Sequence, residues 1–145
     1  DLEQVVGLAK KLNVYQTCFF SGWIEYDQVS DYLSEAKIGV ISRPLNPPNH
    51  LVMTLKLLEY WASKTAVVST RLQGIEEVSA ENIDIVFFDT EDKGDLARKI
   101  ISLLKDESKL KSLVEAGFIT AKKFDWRFLI RQIVDYIERD NERIA

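Results

Sequence analysis

TLKLLEYWASKTAVVSTRLQGIEEV, residues 54–78, sets the architecture of this chain. Its first part carries apolar residues three and four positions apart, as on one face of a helix: Leu55, Leu58 and Ala62. A helix is therefore predicted over Leu55–Ala62. Ala66–Ser69 is too short for a helix and β-branched at its centre, which is typical of a buried strand. The polar residues 63–65 between them predict a tight turn.

Outward from this segment, helices and strands alternate along the chain. Apolar spacing predicts helices over residues 1–12, 26–35, 93–105, 108–123 and 126–143. Asp1 is the expected N-cap of the first helix. Further strands are predicted over residues 14–20, 38–41 and 83–88, and the proline-containing segment 45–52 is predicted to be irregular. Short apolar strands that alternate with helices predict a parallel α/β sheet, here of about four strands.

Composition limits the class of protein. The 145 residues are the size of one domain, residues 1–145, and 46% are hydrophobic. A net charge of −4 lacks the basic excess that nucleic-acid binding requires. The apolar runs are too short to span a membrane. The single cysteine, Cys18, excludes an internal disulfide and a four-cysteine zinc site, and we expect it to be buried.

Three pieces of the central segment resemble a block of the retaining, sugar-nucleotide-dependent glycosyltransferases of the GT-B fold, the glycosyl transferases group 1 family. They are Lys56–Ala62, Ala66–Ser69 and Gln73–Val78, which read KLLEYWA, AVVS and QGIEEV. Similar pieces follow the same order elsewhere: Phe19–Ile24, Asp31–Ile38, Ile41–Pro44 and Lys123–Trp126. The resemblance therefore extends over nearly the whole chain.

The resemblance implies a fold and an activity. The expected fold is α/β, Rossmann-like, with three α/β/α layers, a parallel sheet and C-terminal helices, as the donor-binding half of a GT-B protein. The intact enzyme would be a hexosyltransferase of carbohydrate biosynthesis, transferring a sugar from a nucleotide to an acceptor hydroxyl with retention. The expected location is the cytoplasm.

The chain would be N-terminally truncated and inactive alone, because the family's upstream basic residues and its N-terminal acceptor domain are missing. Its partners would be a nucleotide-diphosphate sugar and that acceptor domain, with no cofactor, no nucleic acid and no transmembrane segment. Contact with a membrane surface is expected only through the missing parts.

The resemblance also assigns donor-binding residues. Glu59 would accept hydrogen bonds from both ribose hydroxyls, although a lone helix glutamate is ordinarily a surface residue that pairs with Lys56 or solvent. The helix N-terminus near Thr54 offers amides and a positive dipole to a diphosphate. The full predicted set is Gly22, Trp23, Ile24, Arg43, Thr54, Lys56, Glu59, Gly74 and Ile75. No catalytic residue and no metal site is predicted.

Several family features are replaced in this chain. Leu51 occupies the usual place of a donor-contacting glutamate, Ser63–Ala66 replaces a Gly-x-Pro turn, and Gln73 replaces the first of two glycines. These changes favour one alternative, a degenerate domain that acts as an interaction or scaffold module. The architecture is also that of sugar-nucleotide epimerases, so a fragment of such an epimerase is a second alternative, which these changes favour less. The chain's one histidine, His50, is expected to be a solvated loop residue. Trp23 is expected either beside a nucleobase or at the edge of the core.

Overall fold

The computed structural model describes the backbone of residues 2–92 and 94–144 and the side chains of residues 2–92 and 94–139. Asp1, the expected N-cap of the first helix, lies outside the described residues. The helices are α1 (Leu2–Lys11), α2 (Tyr26–Ser34), α3 (Pro47–His50), α4 (Leu55–Ala62), α5 (Gln73–Glu76), α6 (Asp95–Lys105), α7 (Glu107–Lys122) and α8 (Trp126–Ile144). The strands are β1 (Ile38–Ile41), β2 (Ala66–Thr70) and β3 (Val86–Phe88).

The strands form a parallel sheet in the order β1-β2-β3. Val68 at its centre pairs with Val40 on one side and Val86 on the other. All five residues of β2 are buried, as expected of a central parallel strand covered on both faces. The predicted α/β architecture is confirmed, with three strands in the described sheet instead of about four.

The strand predicted over residues 14–20 is wrong. Tyr15–Thr17 form a 3₁₀ turn in which the Thr17 and Cys18 amides donate to the carbonyls of Val14 and Tyr15. Residues 14–19 are exposed, and none of them pairs with the described sheet. β-branched and aromatic residues favour a strand only where a neighbouring strand accepts their backbone hydrogen bonds. Cys18 is likewise exposed, not buried.

Two other boundaries differ from the prediction. The strand expected over residues 83–88 is shortened to β3, because Asn82 has a positive φ of 61° and starts a turn through Asp84. The segment 45–52, expected to be irregular, contains the short helix α3. Asn46 caps it by accepting a hydrogen bond from the Asn49 amide at 3.1 Å, and Pro47 occupies the first helical position.

The two faces of the sheet carry separate apolar clusters. One face packs on α4 and α5 through Ile41, Leu57, Trp61, Val67, Leu72, Ile75, Ile85 and Phe87. The other packs on α6 and α7 through Ala66, Val68, Val86, Phe88, Leu103 and Leu113. Adjacent β2 residues thus point to opposite faces, which gives the predicted three-layer arrangement.

A buried polar network joins α4 to α7. The Trp61 indole nitrogen donates to the Asp84 carbonyl at 2.9 Å. The Asp84 carboxylate accepts one hydrogen bond from the Thr120 hydroxyl at 2.9 Å and another from the Ala80 amide at 2.8 Å. Because each of these polar groups is paired, their burial is compatible with a stable core. The network fixes the orientation of α4 against the rest of the fold.

Helix α2 is joined to α4 through the turn that precedes β2. Lys64 in this turn has a φ of 58°, and the following Thr65 donates its hydroxyl hydrogen to the Leu33 carbonyl at 2.7 Å. The tight turn predicted at residues 63–65 is confirmed. It sets the last turn of α2 beside the carboxyl end of α4.

Candidate functional site

A cavity of about 400 Å³ opens at the carboxyl end of β1. It is lined by Val40, Ile41, Ser42, Arg43, Thr54 and Lys56. Three of these, Arg43, Thr54 and Lys56, belong to the predicted donor-binding set. Ligands of parallel α/β sheets bind beyond the carboxyl ends of the strands, which is where this cavity lies. We call it the basic cavity.

The basic cavity carries uncompensated positive charge. Among the described side chains, neither Arg43 nor Lys56 forms an ion pair with a carboxylate. The N-terminus of α4 adds to this charge, since its first amides have no partner within the helix and the helix dipole is positive there. Thr54 occupies the N-cap without a side-chain capping bond, so its hydroxyl is available to a ligand. The cavity is therefore suited to an anion.

Glu59 lines a second cavity, of about 260 Å³, between α2 and α4. The remaining lining residues are Tyr26, Asp27, Val29, Ser30, Leu33, Ala62 and Ser63. Glu59 is half-buried, and within the described part of the chain its carboxylate has neither a hydrogen-bond donor nor a salt bridge. The pairing with Lys56 that an ordinary surface glutamate would make is absent there. We call this the α2–α4 cavity.

Both cavities lie along one side of α4. Lys56 and Glu59 are three residues apart, so their side chains project from neighbouring positions on the helix surface. The basic cavity is at the amino end of this side, and the α2–α4 cavity is further along. An elongated ligand with an anionic part and a hydroxyl-rich part could contact both.

The other predicted site residues line neither cavity. Trp23 is 89% exposed, which contradicts the alternative that it covers the edge of the core. Gly22 has a φ of 66°, in the left-handed region that glycine adopts readily, and Ile24 is half-buried. These three residues lie just before α2, which contributes to the α2–α4 cavity.

Gly74 and Ile75 are buried inside the fold. A side-chain carbon on Gly74 would lie 2.8 Å from the Met53 nitrogen and the Val52 carbonyl carbon, so this glycine allows two backbone segments to pack closely. The Ile75 amide donates to the Leu72 carbonyl at 2.9 Å. Gly74 thus supports the segment that leads into α4.

His50 and Arg71 also have partners within the chain. His50 is half-buried, not a solvated loop residue, and its Nδ1 accepts a hydrogen bond from the Gln73 amide at 3.3 Å. Arg71 forms salt bridges with Glu76 at 2.8 Å and Glu81 at 2.7 Å, and its guanidinium lies over the Phe87 ring. The hydrogen bonds that Arg71 donates to the carboxylates of Glu81 and Glu76 raise its pKa. Its charge is therefore neutralised locally.

A third cavity, of about 550 Å³, lies at the carboxyl ends of β2 and β3. Its lining includes Arg71, Glu76, Glu81, Asp89, Asp95 and Lys99. Although it is larger than the basic cavity, its arginine is already paired and carboxylates predominate among its other charged groups. It is therefore less suited to a phosphate than the basic cavity.

Sequence reasoning did not select the residues that α2 contributes to the site. Tyr26 and Asp27 open α2 and face Glu59 across the α2–α4 cavity. The available signal was the acidic residue in the first turn of a predicted helix, which ordinarily indicates only a favourable helix N-terminus. Their proximity to Glu59 depends on the packing of α2 on α4.

The sequence matches the family model of the glycosyl transferases group 1 over residues 1–120. The chain belongs to this family. The match spans α1 to most of α7 and includes both cavities. The resemblance carried by Lys56–Ala62, Ala66–Ser69 and Gln73–Val78 is thereby confirmed. Among curated proteins, no sequence matches the chain significantly.

The fold of this chain matches solved structures of GT-B glycosyltransferases. A sucrose-phosphate synthase (tll1590) from Thermosynechococcus elongatus superposes with a TM-score of 0.80 at 20% identity, covering 99% of this chain and 35% of that one. Anabaena Alr3699/HepE, in complex with UDP and glucose, superposes with a TM-score of 0.79 at 14% identity. This match covers 95% of this chain and 36% of that one. The same protein in complex with UDP superposes with a TM-score of 0.75 at 14% identity.

The chain thus spans about a third of the length of these structures. It is a fragment of a GT-B glycosyltransferase fold. Within residues 2–92 and 94–144, no helix combines the length and the apolar character needed to cross a membrane.

Proposed function

We propose that this chain is the part of a glycosyltransferase that binds the nucleotide-sugar donor, and that its binding site is the side of α4 between the two cavities. The observation that carries the proposal is the arrangement of charge along this helix. Two cations that have no ion pair among the described side chains lie with the helix N-terminus at one end, and a half-buried carboxylate that likewise has no ion pair there lies further along. This order corresponds to the diphosphate and the ribose of a nucleotide.

At the basic cavity, Arg43 and Lys56 would contact the diphosphate. The Arg43 guanidinium presents donors in a planar fork, and the Lys56 ammonium is a compact charge, so together they suit two adjacent phosphate groups. The Thr54 hydroxyl and the first amides of α4 would donate to the remaining phosphate oxygens. These groups would also stabilise the diphosphate as the glycosidic bond to it breaks.

In the α2–α4 cavity, Glu59 would accept hydrogen bonds from the two ribose hydroxyls. An ionised carboxylate has two acceptor oxygens, and hydrogen bonds to charged acceptors are shorter and stronger than neutral ones. A half-buried carboxylate without a donor is costly to maintain, and a bound ribose would satisfy it.

For the intact enzyme, we propose hexosyl transfer from the donor to an acceptor hydroxyl with retention, with the donor as substrate and no cofactor. The nucleophile and the acceptor site would belong to parts outside this chain, and the chain alone would not turn over a donor. The membership in the family supports this activity. We propose a cytoplasmic location, since nucleotide sugars are the donors.

The second candidate function is a scaffold module without donor binding. Leu51, at the place of a donor-contacting glutamate of the family, is 72% exposed and favours this alternative. Among the described side chains, Arg43, Lys56 and Glu59 form no ion pair, which favours donor binding because their charges remain available to a ligand.

Calorimetric titration of this chain with nucleoside diphosphates and with the corresponding nucleosides tests the proposal. Diphosphates should bind more tightly than nucleosides. Lys56→Met should reduce the ratio of the diphosphate affinity to the nucleoside affinity about tenfold, which is the effect of one charged hydrogen bond. Lys111→Met, on the exposed surface of α7, is the matched control and should leave binding unchanged.

Glu59→Gln tests the ribose contact in the same titration, with exposed Glu115→Gln of α7 as its control. We expect ribonucleotides to lose about tenfold in affinity and 2′,3′-dideoxyribonucleotides to lose little. Absence of binding by any nucleotide, or equal binding by all these variants, would exclude the proposal and favour the scaffold function.

A further inference from the structure

We infer that the donor of this protein carries guanine, and that Asp27 selects this base. The inference rests on the proposed function, because it assumes that a nucleotide lies along α4. The observation behind it is that Asp27 and Glu59 line the same small cavity from opposite helices.

The position of the base follows from the order of groups in a nucleotide. With the diphosphate at Arg43 and Lys56 and the ribose at Glu59, the base continues in the same direction. At 260 Å³, the α2–α4 cavity is smaller than the roughly 300–1,000 Å³ typical of a site for a whole ligand. It is therefore suited to one portion of a nucleotide, the nucleoside, while the phosphates extend into the basic cavity.

The first turn of α2 supplies complementary surfaces for a base. Tyr26 is 82% exposed, so its ring is free to stack on an aromatic ligand, a contact that all bases can make. Val29 and Leu33, both half-buried, provide an apolar wall. These contacts favour a base without selecting among bases.

Asp27 provides the selection. Within the described residues its carboxylate has neither a hydrogen-bond donor nor a cationic partner, so both oxygens are free to accept. Guanine presents two adjacent donors, the N1–H and the N2 amino group, and these match the two oxygens of a carboxylate in a bidentate contact.

The other bases fit a carboxylate less well. Uracil offers a single N–H between two carbonyl oxygens, and these would face the negative charge of Asp27. Adenine and cytosine each offer an amino group beside a ring nitrogen that is an acceptor. A site with a carboxylate at this position therefore disfavours them by leaving acceptors opposite acceptors.

Competition among GDP, UDP and ADP, measured by calorimetric titration of this chain, tests the inference. Wild-type protein should bind GDP about tenfold more tightly than UDP or ADP, the effect of one charged bidentate contact on an exposed residue. Asp27→Asn should remove this preference, because an amide offers one acceptor and one donor in place of two acceptors. Asp31→Asn, one turn along α2 and outside the cavity, changes the net charge equally and should keep the preference.

Glu59→Gln separates the two proposals. It should weaken the binding of GDP, UDP and ADP by a similar factor and leave the order of their affinities unchanged. Equal or tighter binding of UDP or ADP by the wild-type chain would overturn the guanine assignment and leave the donor site intact. A GDP preference that persists in Asp27→Asn would overturn the role of Asp27. Failure of all three nucleotides to bind would overturn the proposed function and this inference with it.

Discussion

Trp61 contacts Gly117 so closely that the two helices carrying them, α4 and α7, leave no room for a larger residue at that point. A side-chain carbon added to Gly117 would collide with the buried indole ring. The Trp61 nitrogen is also fixed by its hydrogen bond to the Asp84 carbonyl. The ring therefore cannot move aside without breaking a buried contact.

Gly117→Ala is expected to destabilise the protein by about 1–3 kcal/mol, the usual effect of overpacking a core. In an unobstructed helix the same change stabilises, because alanine has a higher helix propensity. Gly7→Ala in α1 is the control, since nothing lies within 4 Å of the added carbon. This variant should gain about 0.5–1 kcal/mol in free energy of unfolding. Urea unfolding curves of the two variants measure both effects, and a gain of stability for Gly117→Ala would contradict the packing described here.

Asp84→Asn is expected to lower the free energy of unfolding by about 1–3 kcal/mol. The carboxylate accepts hydrogen bonds from both Thr120 and Ala80, and an amide can accept through only one of its two positions. Thr120→Val removes one donor and should have an effect of similar size. Because both changes break the same bond, the double variant should lose less free energy of unfolding than the sum of the losses in the two single variants. Additive losses in a double-mutant cycle would show that the two residues do not interact.

At the scale of the element, α8 begins at a side-chain cap that is sensitive to acid. The Asp125 carboxylate accepts hydrogen bonds from the Arg127 amide at 2.9 Å and from the Arg127 guanidinium at 2.8 Å and 3.1 Å. Bonding to the Arg127 side chain, and then to its amide, lowers the pKa of Asp125 to about 2. The carboxylate is thus held in its ionised form at the start of the helix, where the dipole also favours it.

The pH dependence of this cap follows from the lowered pKa of Asp125. Because the folded-state pKa is below the unfolded value of about 3.9, the cap contributes its full stability above about pH 4. That contribution is lost as the pH falls from there through about 2. The carbon-13 shift of the Asp125 carboxyl should follow this titration, and Arg127→Gln should move its midpoint upward. Arg131→Gln, further along α8, should leave the midpoint unchanged. A wild-type midpoint near 4 would mean that the cap does not form in solution.

The elements that could be predicted from sequence are those whose burial is set by their own pattern. β2 is apolar or small throughout and covered on both faces, so it was recognisable in isolation. The apolar spacing of Leu55–Ala62 predicted a helix correctly but indicated the wrong buried face, since α4 buries Leu57 and Trp61 and leaves Leu55 71% exposed. Residues 14–20 show an equally strong strand composition and remain a 3₁₀ turn with exposed flanks. The difference is the presence of a pairing partner, which local sequence does not encode.

The candidate site was predictable only in part for the same reason. Arg43, Thr54 and Lys56 were selected from sequence, and the fold brings them to one cavity. Tyr26 and Asp27 are some thirty residues from Glu59 in the chain, and only the packing of α2 on α4 brings them together. Gly74 was predicted to belong to the donor-binding set, and in the structure its lack of a side chain allows close packing against Val52 and Met53.

At the scale of the whole molecule, the charge distribution predicts how binding responds to salt. The chain has a net charge of −4, so a nucleoside diphosphate is repelled by the protein as a whole and attracted locally by the basic cavity. Exposed Lys56 is screened effectively, since the Debye length falls to about 3 Å at 1 M salt. We expect the affinity for GDP to fall between 50 mM and 500 mM sodium chloride and that for guanosine to change little. Equal salt dependence of both ligands in calorimetric titrations would exclude a phosphate contact at this cavity.

The most direct test of the central claim is chemical-shift mapping of this chain, labelled with nitrogen-15, during titration with GDP. If the donor lies along α4, the largest amide shifts should occur at Arg43, at residues 54–57 and in the first turn of α2. In Glu59→Gln the same shifts should be smaller at the same sub-saturating concentration of GDP. Amides around Arg71 and Asp89, at the larger acidic cavity, should not respond. Shifts confined to those amides, or no shifts at all, would contradict the assignment of the donor site to α4.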